Sequence, residues 1–404
     1  MISAWIAIPI GLVMLTLTWA SIVFTLVVPR GLTGPGRLTL WITRPTRQIF
    51  IGLARFARTY EGKDKVLALT GPVALLALLA MWLLLLGAAF VVMLLPYTDD
   101  FGTDVAQVGA AMFTLGLARR PRATNDTIAI LAAASGFIVI ALQIAYLPAL
   151  YSEFNRRENA VALLNARAGV PSWGPELLAR THYALGSGVS TVDTLPDLYE
   201  SWESWAAEVG ESHTTYLPLV RFRSPKPLSS WVTSLLAVLD SAALMLSLNP
   251  STAPVVQARL CLRAGFSCFQ DVARAMGLVI PDEPDPQAGI GITYEDFLEA
   301  IDRMRFVNFP IERDPAEAWP DFVGWRVNYE PAAFAIAYAI DAVPAKWSGP
   351  RRDLRHPQIP PVRPPFGRPP DGGEDKHTSG KPQPPPGGAV ARVTGRRPHR
   401  PAQD

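Results

Sequence analysis

The chain has 404 residues, of which 49% are apolar, and a formal net charge of +2. A chain of this length can form a membrane part and a separate domain. Because positive and negative charges nearly balance, the overall charge gives no reason to expect nucleic-acid binding. Two cysteines, Cys261 and Cys268, are too few for a disulfide framework or a four-thiolate metal site. We therefore expect no nucleic-acid partner and no metal.

Residues 1–29 form an uncharged apolar run, which predicts an N-terminal transmembrane helix because about 20 apolar residues cross a bilayer. The arginines follow this run rather than precede it, unlike those of a secretory signal. Residues 30–65 form a basic linker in which arginines interleave with aromatic and aliphatic residues from Trp41 to Arg58. This pattern is typical of an amphipathic helix on a membrane surface or of a solvated linker.

Two further uncharged runs, residues 66–98 and 127–152, predict two more transmembrane helices. Basic residues cluster in the linker before them and again at Arg156 and Arg157 after them. Because basic loops favour the cytoplasmic side, we expect the N-terminus outside and the C-terminus in the cytoplasm. The excess of arginine over lysine is typical of a GC-rich bacterium, which indicates the bacterial inner (cytoplasmic) membrane.

A short segment between these two runs, residues 104–121, has the pattern of a pore loop. Asp104 is a candidate N-cap of a short helix over residues 105–113. An ion filter needs rings of backbone carbonyls from a glycine-containing loop of each of four subunits, with a helix dipole directed at the ion. The candidate filter residues after this helix are Thr114, Leu115, Gly116, Leu117 and Ala118.

Residues 66–158 resemble the two-helix, pore-loop unit of the bacterial potassium-channel family. The T-L-G-L of residues 114–117 is similar to the start of the family's T-x-G-x-G-D filter, and the third apolar run with its R-R-E exit resembles the pore-lining inner helix. The resemblance implies a homotetramer with potassium as the permeant ion and no other cofactor. It also suggests Gly136 as a hinge, and Pro148 should kink the same helix because it lacks an N–H.

The sequence departs from the family in the second half of the filter. Ala118 replaces the second glycine and Arg119 replaces the aspartate. In a tetramer, Arg119, Arg120 and Arg122 would crowd the outer mouth, and like charges ~4 Å apart repel by ~1 kcal/mol even in bulk water. Three interpretations follow: a channel with an altered filter, a channel-derived protein that does not conduct, and an apolar hairpin with a coincidental T-L-G-L.

The composition of residues 159–347 predicts a cytoplasmic all-α domain. At its start, the helix of the third apolar run should continue as far as Arg167. Apolar periodicity indicates further helices over residues 175–185, 195–210, 231–248, 255–276, 294–304 and 331–342. The run 231–248 is long enough to span a membrane, but Asp240 would cost about 2.5–3.5 kcal/mol at a bilayer centre. We therefore interpret it as a core helix.

The chain carries no P-loop, no dinucleotide-binding fingerprint and no hydrolase or zinc-protease motif, so we expect no enzyme and no catalytic residues. Glu208, Glu211 and His213 form only a loose cluster, which we interpret as a solvated helix face. Residues 348–404, rich in proline, glycine and arginine, predict a disordered tail.

The sequence thus predicts an all-α membrane protein with three transmembrane helices, a re-entrant pore loop, a cytoplasmic all-α domain and a disordered tail. The first functional hypothesis is ion permeation through a tetrameric pore with an altered filter. The second is a non-conducting membrane scaffold or sensor that acts through its cytoplasmic domain on an unidentified protein partner.

Overall fold

A computed structural model describes residues 3–27, 37–98, 100–113, 123–183, 194–281, 283–285 and 288–349, and the regular structure in these ranges is helical. The helices are α1 (Ala4–Leu26), α2 (Arg37–Ala54), α3 (Tyr60–Ala68), α4 (Thr70–Leu94), α5 (Phe101–Met112), α6 (Ala123–Ala168), α7 (Gly174–Tyr183), α8 (Leu195–Thr215), α9 (Trp231–Leu248), α10 (Val255–Ala275), α11 (Tyr294–Phe306), α12 (Pro315–Arg326) and α13 (Glu330–Ala339). A short 3-10 helix spans Leu217–Arg221. The predicted tail, apart from its first two residues, lies outside the described ranges.

Four helices in the described ranges are long and apolar enough to cross a membrane: α1, the segment Glu61–Leu94 that contains α4, α6 and α9. The protein itself buries only 28%, 39% and 33% of the first three apolar windows, so most of their apolar surface faces outward. It buries 94% of α9, whose apolar surface is therefore covered by protein. This enclosure agrees with the interpretation of α9 as a core helix.

Helix α1 packs against α4 through small residues. Ala7, Gly11 and Ser21 are all buried on the contacting face of α1. A Cβ atom at Gly11 would lie 2.9 Å from the backbone oxygen of Ala89, so the two helix backbones approach closely there. The indole Nε1 of Trp82 donates a hydrogen bond to Ser21 Oγ at 3.2 Å. Close backbone approach at small residues and interhelical hydrogen bonds are how helices associate in lipid.

The described part of the basic linker contains α2 and α3, and α2 has a buried face and an exposed face. Ile42 and Ala54 are buried, whereas Ile49 and Leu53 are exposed apolar residues. Arg47 of α2 forms an ion pair with Asp341, just after α13, with 2.8 Å between NH2 and Oδ2. A second ion pair joins Asp64 of α3 to Arg223 of the helical domain. These pairs place the linker and the helical domain at the same end of the apolar bundle.

Helix α6 connects the apolar bundle to the helical domain without interruption. Its 46 residues correspond to about 70 Å at 1.5 Å per residue. The helix ends at Ala168, before Gly169 with a positive φ of 80°. The sequence correctly predicts that the third apolar run continues as helix to Arg167.

The helical domain packs α7, α8, α10, α12 and α13 around α9. Its core includes Trp231, Phe269 and Phe322, and both cysteines are buried and free. The predicted helices are present, and their ends differ from the predicted ones by at most five residues. The prediction omits α12, whose first turn is capped by Asp314: its side chain accepts a hydrogen bond from the N–H of Ala316 at 2.9 Å.

Candidate functional site

The predicted filter and outer-mouth residues lie outside the residues that the structure describes. They are Thr114, Leu115, Gly116, Leu117, Ala118, Arg119, Arg120 and Arg122. The structure does describe the helices on either side of them, namely α5, which ends at Met112, and α6, which begins at Ala123. The surroundings of the predicted pore loop are therefore described by α4, α5 and α6.

Asp100, and not Asp104, is the N-cap of α5. The carboxylate of Asp100 accepts hydrogen bonds from the backbone N–H groups of Gly102 and Thr103, each at 3.2 Å. The prediction of Asp104 as the cap is wrong because the helix starts one turn earlier. Asp104 is instead buried within the first turn, where its Oδ2 accepts a hydrogen bond from Thr98 Oγ1 at 2.5 Å.

The C-terminal end of α5 lies deep between α4 and α6. Met112 is buried, with its Sδ atom 3.6 Å from the position of a Cβ added at Gly87 of α4. On the other side, a Cβ added at Gly136 of α6 would lie 2.6 Å from the backbone oxygen of Met112. Gly136 thus permits backbone contact between α5 and α6, a role that its interpretation as a hinge did not include.

The contact at Gly136 lies well inside the apolar part of α6. Gly136 is 13 residues after Ala123, which corresponds to about 20 Å along the helix. Helix α5 itself has 12 residues, or about 18 Å, which is shorter than the ~30 Å apolar core of a bilayer. In the described structure the C-terminal, electronegative end of α5 therefore lies against Gly87 of α4 and Gly136 of α6, within the apolar parts of both helices.

The buried face of α5 carries both polar and apolar side chains, and its exposed face is apolar. Asp104 Oδ1 and Gln107 Oε1 are buried acceptor atoms without a hydrogen-bond partner in the described ranges. On the opposite face, Phe101, Val105 and Phe113 are exposed. Buried acceptors require donors, and the exposed apolar face requires lipid or another protein surface.

Pro148, the second predicted feature of α6, lies at the level where α6 meets the 3-10 helix. The helix continues through it, and the side chain of Pro148 is exposed. On the opposite face, Tyr146 and Leu150 are buried against Leu219 and Phe222. This contact anchors the C-terminal half of α6 to the helical domain.

The buried side chain of Arg157 connects α6 to the helical domain through hydrogen bonds. Its side chain is only 1% exposed and donates to the backbone oxygens of Leu219 at 2.9 Å and Phe222 at 2.8 Å. It also pairs with Glu158 at 2.7 Å and contacts His213 Nε2 at 3.0 Å. A buried guanidinium is stable only when its donors are paired in this way.

The imidazole of His213 completes this network as a neutral acceptor. Burial and the positive charge of Arg157 lower the pKa of His213 well below its usual value. The Nδ1–H group therefore donates to Ser212 Oγ at 3.1 Å, and Nε2 accepts from the Arg157 guanidinium. The sequence pattern missed this pairing, although Arg157 continues the buried stripe of Tyr146 and Leu150 at helical spacing.

A second buried network explains the carboxylate in the apolar helix α9. Asp240 accepts hydrogen bonds from the Arg326 guanidinium and from the hydroxyl of Tyr329, the latter at 2.8 Å. Arg326 also donates to Glu330 Oε2 at 2.6 Å. Burial and the Asp240 carboxylate raise the pKa of Tyr329, which keeps its hydroxyl protonated as a donor. This network is inaccessible to solvent and holds α9, α12 and α13 together.

The Glu208, Glu211 and His213 cluster does not form a site. The two glutamates are exposed, whereas His213 is buried against Arg157. Among the described residues, no group of three or more His, Cys, Asp or Glu side chains is arranged to hold a metal ion.

Comparisons of the chain with models of protein families, with curated proteins and with solved structures find no match. The features that bear on function are therefore the geometry of α4, α5 and α6 and their connection to the helical domain.

Proposed function

We propose that the protein is a multi-pass protein of the bacterial inner membrane whose α4–α5–α6 unit lines an ion pathway in a homotetramer. Helices α1, α4 and α6 are the three spans, the N-terminus lies outside, and the helical domain is cytoplasmic. Potassium is the proposed permeant ion. The protein has no catalytic role in this proposal.

The observation that carries the proposal is the depth at which α5 ends. A helix too short to cross the apolar layer stops against the backbone of α6 at Gly136. Backbone at membrane depth that is not helical is tolerated only where it is buried in protein or lines a water-filled cavity. The chain that follows α5 must return to the start of α6 at Ala123, which supports a re-entrant segment.

The ion pairs of the linker support the proposed topology. Arg47 and Asp64 both contact the helical domain, so the chain between α1 and α4 lies at the same end of the bundle as that domain. Between the linker and the helical domain the chain then crosses the membrane twice, through α4 and back through α6, and so returns to the same side. The basic residues of this linker favour the cytoplasmic side for both.

The exposed apolar face of α5 supports assembly. Phe101, Val105 and Phe113 project from the unit rather than into it. A filter built of backbone carbonyls needs the same loop from several subunits, so a single chain cannot complete it. In a tetramer this face packs against the neighbouring subunit.

One sequence observation favours the second function, a non-conducting scaffold or sensor. Arg119, Arg120 and Arg122 concentrate positive charge directly after the filter-like residues, where an entering cation is repelled. In this alternative, α6 and the buried Arg157 couple the membrane unit to a cytoplasmic domain that binds another protein.

Potassium-driven flux into liposomes that contain the purified tetramer separates the two functions. Under the channel proposal, wild-type protein conducts and the double variant Ala118→Gly, Arg119→Asp increases potassium flux and selectivity. If wild type and the double variant are both silent while cross-linking shows intact tetramers, the channel proposal is wrong and the scaffold remains.

A further inference from the structure

A cavity of about 220 Å³ lies where the start of α4 meets the C-terminal half of α6. Helices α3 and α4 form one wall, Tyr151 and Phe154 of α6 form the second, and residues 222–225 with Pro227 form the third. The cavity is separate from the pore-like unit around α5. It lies at the end of the apolar bundle that faces the helical domain.

The wall of the cavity is aromatic and held in place by ring contacts. The ring centroid of Phe222 lies 5.9 Å from that of Tyr151 and 5.7 Å from that of Phe154, both in edge-to-face arrangements. A Cβ added at Gly71 would meet Phe222 Cδ2 at 2.8 Å, so this ring is also held tightly against α4. Such a wall is preorganised for an apolar ligand group.

An apolar stripe on the outside of α4 continues from the cavity along the bundle. Pro72 lines the cavity, and Leu76, Ala80 and Leu84 follow it at intervals of four residues. Leu76 is 61% exposed and Leu84 is 69% exposed. If α4 spans the membrane, this stripe faces the acyl chains of the leaflet next to the helical domain.

The polar groups at the cavity favour an anion. Lys65 is exposed at the rim and forms no ion pair within the described part of the chain. The two remaining charged groups at the cavity, Asp64 and Arg223, pair with each other, and Arg223 also donates to the backbone oxygen of Ile340. Ser224 also lines the cavity, and its buried hydroxyl has no partner among the described residues. Lys65 and Ser224 thus offer a cation and a hydroxyl donor.

We propose that this cavity binds an anionic phospholipid from the leaflet that faces the helical domain. The phosphate group interacts with Lys65 and the Ser224 hydroxyl, and an acyl chain follows the stripe from Pro72 to Leu84. A free phosphate ion would interact with Lys65 but would make no contact with the aromatic wall or the apolar stripe. The inference rests on the proposed membrane placement of α4 and α6, and it does not require conduction.

Native mass spectrometry of the full-length protein in detergent tests the proposal with phosphatidylglycerol and phosphatidylcholine as probes. We expect preferential retention of phosphatidylglycerol. Lys65→Met should weaken this binding about five-fold, since one basic residue near a membrane surface contributes about 1 kcal/mol. The matched control is Lys63→Met, two residues away on the same helix and outside the cavity, which should leave the affinity unchanged. Ala68→Leu fills the cavity and should abolish retention.

Three results would overturn the proposal. The first is equal retention of the two lipids, and the second is equal weakening by Lys63→Met and Lys65→Met, which would indicate general attraction to the basic linker. The third is displacement of the lipid by millimolar inorganic phosphate, which would indicate a site for the free ion. Gel-filtration elution checks that each variant is folded. The assay measures lipid binding and not ion flux, so its result can be interpreted even if the protein does not conduct ions.

Discussion

Substitution of Gly136 by alanine tests whether α5 is inserted against α6 at this depth. An alanine Cβ would lie 2.6 Å from the backbone oxygen of Met112 and 3.1 Å from its Cα, whereas ordinary contacts begin near 3.4 Å. The atoms in the way belong to a helix backbone and cannot rotate aside. Helix α5 must therefore move by about 0.8 Å, and overpacking of this kind costs typically 1–3 kcal/mol.

The matched control is Gly109→Ala on α5. No described atom lies within 4 Å of a Cβ added at Gly109, so this change introduces no clash. Both substitutions gain the same helix propensity, about 1 kcal/mol. The difference between the two variants therefore isolates the contact with Met112.

We would measure the free energy of unfolding of both variants in mixed detergent and denaturing micelles, and their potassium flux in liposomes. Gly136→Ala should be less stable than Gly109→Ala by about 1–3 kcal/mol and should lose flux. Equal stability of the two variants would refute the close approach of α5 and α6 at Gly136.

Three further predictions concern the helix contacts and the junction between α6 and the helical domain. Arg157→Met should destabilise the protein by about 3–5 kcal/mol because Glu158 stays buried without its partner. The control, Arg156→Met on the exposed side, should change stability by less than about 0.5 kcal/mol. Chemical unfolding measures the stability of both variants. The depressed pKa of His213 means that stability falls as pH drops below ~6.5, by up to about 1.4 kcal/mol per unit. His213→Gln keeps an acceptor for Arg157 and should flatten the stability profile between pH 5 and 6.5; an unchanged slope would contradict the assignment. Trp82→Phe removes the hydrogen bond to α1 and should cost about 0.5–1.5 kcal/mol in thermal unfolding.

The sequence predicts most helices of the described ranges well, because most of them have strong apolar periodicity or an uncharged run. The run 231–248 corresponds residue for residue to α9. Its interpretation as a core helix rests on one residue, Asp240, whose carboxylate indicates protein rather than lipid around it. The structure supplies the reason, since Arg326 pairs with Asp240 from a helix about 80 residues later in the chain.

The sequence was less informative where long-range partners decide the structure. The local pattern indicated Asp104 as the cap of α5, and only the packing of Asp104 against Thr98 shows that its side chain is buried instead. Helix α12 was not predicted; Pro315 occupies its first helical position, where proline is favourable, and Pro320 lies inside it. Pairing of Arg157 with His213 joins residues 56 apart and has no local signature.

The most direct test of the proposed ion pathway is single-channel recording from purified tetramers in a planar bilayer with a potassium gradient. The proposed ion pathway predicts discrete currents whose reversal potential follows the potassium gradient, and loss of these currents in Gly136→Ala but not in Gly109→Ala. Absence of discrete currents from wild type and from the Ala118→Gly, Arg119→Asp variant, with tetramers verified in the same sample, would contradict it.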